Sequence, residues 1–325
     1  MKIFLRILGS ILVLLALGYL VGPKPKTPIY RQDLPKVPSI DSLTTFIDQQ
    51  EAKHRIKPGN NAQIVWADSS HQQTAYAVVY LHGFSASKEE GDPVHKTFAK
   101  SIGANLYLAR LADHGIDTIA PMQYLTADRL WESAQQAYAI GKKLGKKVIL
   151  AGTSTGGTLA LKLAATYPEV HSLILLSPNI AINDNKAWML NNPWGLQIAR
   201  LVTGGDERRV DGRSPLYQKY WYTHYRLESV VELQELLETS MSSTLFKKVT
   251  QPTLLLYYYK NEKEQDPVVS ISAMLKMFDE LGTPAGKKQK LALPHTGNHV
   301  IGSFITSKDV AGVEKAIAQF AKENY

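Results

Sequence analysis

Lys147-Val148-Ile149-Leu150-Ala151-Gly152-Thr153-Ser154-Thr155-Gly156-Gly157 is the stretch on which the fold turns. Lys147 to Ala151 is a short apolar run of the length of a buried strand. Gly157 to Tyr167 has helix-forming composition and stops at Pro168, which cannot continue a helix. Between them Gly152-Thr153-Ser154-Thr155-Gly156 fits G-x-S-x-G, so the pattern predicts strand, tight turn and helix with the Ser154 hydroxyl exposed at the turn. The flanking glycines have a physical reason: strand and helix approach so closely there that a Cβ would collide.

A serine hydroxyl is a weak nucleophile at neutral pH and needs a base, which in turn needs an orienting acid. Of the 9 histidines, His295 and His299 lie in a late loop, Pro294-His295-Thr296-Gly297-Asn298-His299, between the strand-like run Gln289 to Leu293 and the helical stretch Lys308 to Glu323. The turn residues before His299 give it room to fold back, whereas Pro294 ties His295 to the strand end. His299 is therefore the expected base and His295 the second choice. The acid is expected after Thr253 to Tyr259, the strongest β run of the chain. Asp266 closes the polar loop that follows, ahead of Pro267-Val268-Val269, and is preferred over Glu262 and Glu264 in the same charge run. Ala75 to Leu81 reads as a central strand running into His82-Gly83-Phe84, so the backbone amides of Phe84 and Thr155 are the expected donors to a developing oxyanion. His82 is expected to lock that loop.

With His82-Gly83-Phe84, the Ser154 turn, Asp266 and His299 in this order, the chain resembles the α/β-hydrolase superfamily. Within it, it is similar to the monoglyceride lipase, lysophospholipase and S33 serine-aminopeptidase-like group. Leu111-Ala112-Asp113-His114-Gly115 looks like a degraded form of that group's D-x-R-G-H-G loop, with the arginine missing from inside it and Arg110 nearby. The resemblance covers roughly residues 75–325. It implies hydrolysis of an ester or amide through a covalent acyl-enzyme, on a mostly parallel central sheet with helices on both faces and an inserted cap.

The alternation of runs agrees: strands at 75–81, 105–108, 147–151 and 172–176, with helices at about 93–102, 126–144 and 157–167. Ahead of them, Ser39 to Lys53 reads as a helix and Gln63 to Trp66 as a short first strand. Alternation stops between Ser177 and Lys248. That stretch is rich in aromatic residues, Trp188, Trp194 and Trp221 among them, and is expected to cap the site over about 178–250, with 204–209 as its flexible part.

The first 22 residues form a separate object. A basic head carrying Lys2 and Arg6 leads into the apolar stretch Ile7 to Val21, expected to be an uncleaved membrane anchor; a signal segment cleaved after Gly18 is the alternative. Residues 23–38, with their Pro-Lys repeats, read as a stiff linker, and residues 39–325 as the catalytic domain. Lys2 and Arg6 favour a retained N-terminus with that domain outside the cytoplasm, anchored to the cell membrane, or secreted or periplasmic after cleavage. The chain has no cysteine, which removes thiol nucleophiles, disulfides and thiolate metal sites, and no metal-ligand or cofactor motif appears. The net charge of +8 is spread over the sequence without a basic tract, so no nucleic-acid partner is expected. The expected reaction is hydrolysis of a small-molecule acyl ester or lipid such as a monoacylglycerol. Its rivals are acyl transfer or aminopeptidase-type amide cleavage on the same residues, the last needing acidic groups such as Asp206, Glu207 or Glu228, and an inactive binding protein on the same fold.

Overall fold

The computed structural model describes residues 2–325; Met1, the first residue of the expected anchor segment, lies outside them. Helix α1 (Lys2–Leu20) is followed by a segment without regular secondary structure and by α2 (Leu43–Glu51). Residues 23–38, expected as a stiff linker, instead lie on the domain, with Tyr30, Leu34 and Val37 packed against its core and Trp131 and Gln135 donating to Arg31 O. The body then runs β1 (Gln63–Val65), β2 (Thr74–Leu81), α3 (Val94–Ser101), β3 (Asn105–Leu108), α4 (Ala127–Leu144), β4 (Gly145–Thr153), α5 (Thr155–Thr166) and β5 (Ser172–Leu176). An insertion follows, built of α6 (Gly195–Thr203), β6 (Glu207–Arg209), α7 (Pro215–Tyr220), β7 (His224–Arg226), α8 (Leu227–Ser240) and α9 (Ser243–Lys248). The chain returns through β8 (Thr253–Tyr257), the ribbon β9 (Tyr259–Asn261) and β10 (Glu264–Gln265), α10 (Ile271–Glu280), β11 (Lys288–Ala292) and α11 (Val310–Asn324).

Seven strands make one sheet in the order β1-β3-β2-β4-β5-β8-β11, parallel throughout except for the antiparallel edge strand β1. The two-residue period of β2 explains how it is sandwiched. Ala77, Val79 and Leu81 enter one core, with residues of α4, α5 and α10, while Val78 and Tyr80 enter the other, with α3 and α11. Burial on both faces is what makes such strands read as continuous apolar runs rather than alternating ones. α4 shows how a helix here is specified. Thr126 caps it by accepting from the Arg129 amide, Lys142 and Lys143 complement its C-terminus, and its apolar stripe includes the buried Leu130, Trp131 and Tyr138.

Two further expectations are corrected. The β run 253–259 is broken at Tyr258: Tyr257 is the last residue paired to β11, and Tyr259 starts a separate ribbon. The 204–209 run is not simply a loop. Glu207–Arg209 pairs antiparallel with His224–Arg226, and Asp206 reaches Arg200 at 2.8 Å and Arg226 at 3.6 Å, which gives the glycine pair a fixed turn to make.

Candidate active site

Ser154 stands between β4 and α5 with φ +52° and ψ −119°, a backbone conformation L-residues rarely adopt. Such strain persists only where surrounding structure imposes it. The Ser154 amide donates to Leu176 O at 3.0 Å, and its carbonyl accepts from Gly157, Thr158 and Asn179. A Cβ on Gly152 would lie 2.5 Å from the Gly156 carbonyl carbon, and one on Gly156 would overlap the Leu81 carbonyl, so both glycines are dictated by close approach.

The two late loops bring Asp266 and His299 together. His299 Nδ1 donates to Asp266 Oδ2 at 2.6 Å, and Asp266 Oδ1 accepts from the amides of Val268 at 2.8 Å and Val269 at 3.1 Å. The Pro-Val-Val segment therefore turns back and clamps the carboxylate, which is 1% exposed. Burial drives the His299 pKa down, but the charge and hydrogen bond of Asp266, helped by Glu90, outweigh it and the net shift is upward. His295 is exposed and Glu262 and Glu264 sit on the exposed β9–β10 ribbon, where Glu264 pairs with Lys260 and Glu262 accepts from the Tyr259 hydroxyl.

The loop after β2 is held from three directions. His82 Nε2 accepts from the Leu111 amide at 3.1 Å, which leaves the proton on Nδ1, donated to Gly83 O at 2.9 Å. His114 repeats the arrangement, Nε2 accepting from the Ser85 amide and Nδ1 donating to Ala112 O. Burial pushes both imidazoles down, His114 to about 4, so each stays neutral and keeps the acceptor nitrogen that the loop requires. The insertion supplies the third hold: the Tyr222 amide donates to Ser85 O at 2.8 Å, and Trp221 packs with Ala86 and Val300. Phe84 lies edge-on to Tyr225 at 5.2 Å between ring centroids. Among the described residues the Gly83 amide is taken by Glu90, that of Ser85 by His114 and that of Ser154 by Leu176, whereas the amides of Phe84 and Thr155 donate to no protein acceptor.

Glu90 is the group that sequence reasoning missed. It is 2% exposed, and its carboxylate accepts from the Gly83 amide. Both its oxygens lie within 2.9 Å of where a Gly83 Cβ would stand, itself 3.0 Å from Ser154 Cβ. Burial pushes its carboxyl up from 4.5 to about 7 against the pull of the Gly83 amide, the His299 ring and Trp221. A second carboxyl thus borders both Ser154 and His299. Its signal in the sequence was poor, because Lys88-Glu89-Glu90 has the look of a solvated charge run.

A family model described as the alpha/beta hydrolase fold matches residues 76–206. A thermostable monoacylglycerol lipase from Bacillus sp. (strain H-257) is 26% identical over 144 residues, a match that spans 44% of this chain and 56% of that enzyme's length. Among solved structures, that reported for the metagenome-derived lipolytic enzymes LipS and LipT superposes with a TM-score of 0.65 at 18% identity, covering 82% of this chain and all of the other. Est1E from Butyrivibrio proteoclasticus, solved with ferulic acid, gives 0.56 at 20% identity over 81% of this chain and 94% of its own.

Proposed function

We propose that this chain, an α/β hydrolase by fold, is a serine hydrolase of carboxylic esters acting on acyl lipids of the monoacylglycerol class. The observation that carries the reading is the short, buried Asp266–His299 hydrogen bond, linked to the strained turn of Ser154 by the Glu90 carboxylate, whose charge acts on His299 and which is enclosed beside Gly83 next to Ser154. Asp266 has two of its successors' amides on one oxygen and His299 on the other, so it fixes the ring with Nδ1 protonated and leaves Nε2 as the base. In the proposed cycle His299 Nε2 takes the Ser154 proton as Oγ bonds to the ester carbonyl. The free amides of Phe84 and Thr155 receive the oxyanion, and His299 returns the proton to the departing alcohol. Water repeats the sequence on the acyl-enzyme and releases the acid, leaving Ser154 as it began.

The rivals fit the geometry less well. Asp206, Glu207 and Glu228, the carboxylates that could have received the free amine of a peptide, are engaged with Arg200, Arg209 and Arg226. A binding protein without catalysis has no use for the strain stored at Ser154. The lipid preference is supported by the similarity to the Bacillus monoacylglycerol lipase and by α1, whose segment Ile3–Leu20 is apolar and long enough to cross a membrane. In this reading residues 1–22 anchor the protein, 23–38 link it, and 178–250 cap the site. The test is labelling with a fluorophosphonate, followed by a panel of p-nitrophenyl esters, monoacylglycerols and amino-acid anilides. Modification at Ser154 with turnover of monoacylglycerols above anilides is the expected result. Absence of labelling in folded protein overturns the serine mechanism, and faster anilide cleavage overturns the ester preference.

A further inference from the structure

Helix α6 turns an apolar face to solvent. Leu201 is 83% and Val202 80% exposed, with Ile198 and the N-cap residue Trp194 also exposed. Positions 194, 198, 201 and 202 fall on one side of a helix, the i, i+4, i+7, i+8 spacing of a stripe meant to be covered. Trp188, exposed in the preceding turn, extends the apolar surface. The other side of α6 is satisfied within the fold, where Arg200 bridges to Asp206 and to Glu228 of α8. Scattered apolar residues on a surface need no explanation, but a stripe on one short helix does.

A separate observation names what covers it. The end of α1 is fastened to the start of α6: the Trp194 indole donates to Gly18 O at 2.9 Å and the Trp194 amide to Pro23 O at 2.9 Å. A Cβ on Gly22 would overlap the Trp194 ring, so the chain leaves α1 pressed against this residue. None of Ile3–Leu20 is buried against the domain. If α1 spans a bilayer, its last turn lies at the membrane surface, and Trp194 lies there with it. Tryptophan is a residue suited to that depth, and the exposed Lys24 and Lys26 just beyond α1 suit the headgroups.

We propose that α6 is a second membrane contact, its Trp188, Trp194, Ile198, Leu201 and Val202 surface seated in the headgroup–acyl boundary of the bilayer that α1 crosses. The inference rests on the anchored acyl-ester reading above and deepens it, since the same insertion carries Trp221, Tyr222 and Tyr225 onto the loop beside Ser154. A membrane-seated insertion places that loop next to the lipid phase, so lipid esters reach the site from the bilayer rather than through water.

The absence of native cysteine allows a direct test on the full chain. Single Leu201→Cys, Val202→Cys and Lys315→Cys variants, the last on α11, are labelled with an environment-sensitive dye and reconstituted in phosphatidylcholine vesicles containing brominated acyl chains. The α6 dyes should shift to the blue and be quenched by bromine, and the α11 dye should do neither. A water-like, unquenched dye at 201 and 202 overturns the proposal. So does a shielded dye that bromine does not quench, with disulfide-linked dimers of the unlabelled variants, because then a second copy covers the stripe. In parallel, Leu201→Asp with Val202→Asp should slow turnover of monoacylglycerol in vesicles by about tenfold or more, as expected for charges forced into the interface, and leave a short water-soluble ester unaffected. Equal loss on both substrates overturns membrane seating. Lack of turnover of any ester by wild type refutes the hydrolase reading while the dye result still decides the docking.

Discussion

Replacing Glu90 by glutamine should flatten the response of folding stability to pH across the neutral range. The carboxyl is fully enclosed beside Gly83, and burial raises it from 4.5 to about 7. A carboxyl that binds its proton more tightly folded than unfolded contributes stability that is whole below 4.5 and is lost as pH rises through about 7. At ~1.4 kcal/mol per pH unit, that interval amounts to about 3 kcal/mol. Glutamine keeps an oxygen for the Gly83 amide and nearly the same shape, but cannot ionise. Urea unfolding of the full chain in mild detergent, at about pH 5 and about pH 8, should show wild type losing on the order of 3 kcal/mol more than the variant between the two.

The other titrating groups bear on the comparison in a definite sense. His299, raised by Asp266, stabilises at low pH and loses that contribution as pH rises through its folded pKa. His82, His95 and His114, lowered by burial, contribute in the opposite sense, their stability being lost as pH falls through the folded values, about 4 for His95 and His114. His82, His95 and His114 are present in both proteins and cancel in the difference, whereas His299, which Glu90 helps to raise, loses part of its upward shift in the variant and so flattens the variant's profile in the same direction. Parallel stability profiles for the two proteins would refute the reasoning. They would mean that Glu90 ionises freely and that water or movement relieves its enclosure.

Ser154→Ala should abolish turnover with folding intact, checked by single-turnover kinetics and thermal unfolding; residual activity above about a thousandth of wild type would move the nucleophile elsewhere. Asp266→Asn should cut kcat severely, though less than Ser154→Ala, and shift the acidic limb of the rate–pH profile downward, because the charge that raises His299 is gone. Glu262→Gln and Glu264→Gln should be nearly silent in the same assay, and a larger loss in either would refute the choice of acid. His299→Ala should cost at least about a thousandfold in the chemical step and His295→Ala far less, with the reverse order overturning the assignment.

Much of the sheet could be read from sequence because its information is local. A strand buried on both faces has to be a short apolar run, and the Ser154 turn carries its glycines within five residues. The strand ends were less legible: whether Tyr258 continues β8 is decided by β11, which stops pairing at Tyr257, and β11 lies some thirty residues downstream. The insertion was harder still. Its 207–209 strand exists because of a partner at 224–226 and because Arg200 and Arg226 share the carboxylates of Asp206 and Glu228, and polarity alone does not reveal such pairing. The candidate site divides in the same way. The Asp266 position could be argued from its loop, but the enclosure of Glu90 depends on Tyr80, Gly83 and Trp221 coming together from distant segments.

The loop of Gly83 and Phe84 has little order of its own: His82 at its start is braced by the Leu111 amide, and His114, Glu90 and Tyr222 hold it from three other segments. Two of those holds require neutral imidazoles, for protonating Nε2 of His82 or His114 would turn an acceptor facing an amide into a donor facing a donor. Burial guards against this well below neutral pH, which explains why two histidines can serve as fixed parts of a loop while a third, His299, keeps a pKa suited to moving protons. The hold through Tyr222 differs in kind because it comes from the insertion. Displacing that segment frees Ser85 O and uncovers Phe84, and so removes one of the holds on the loop that carries the Phe84 amide. The loop proposed to hold the oxyanion is thus braced by a part of the chain that also carries the exposed stripe of α6, and the alignment of the proposed catalytic groups is physically coupled to whatever surface that stripe meets.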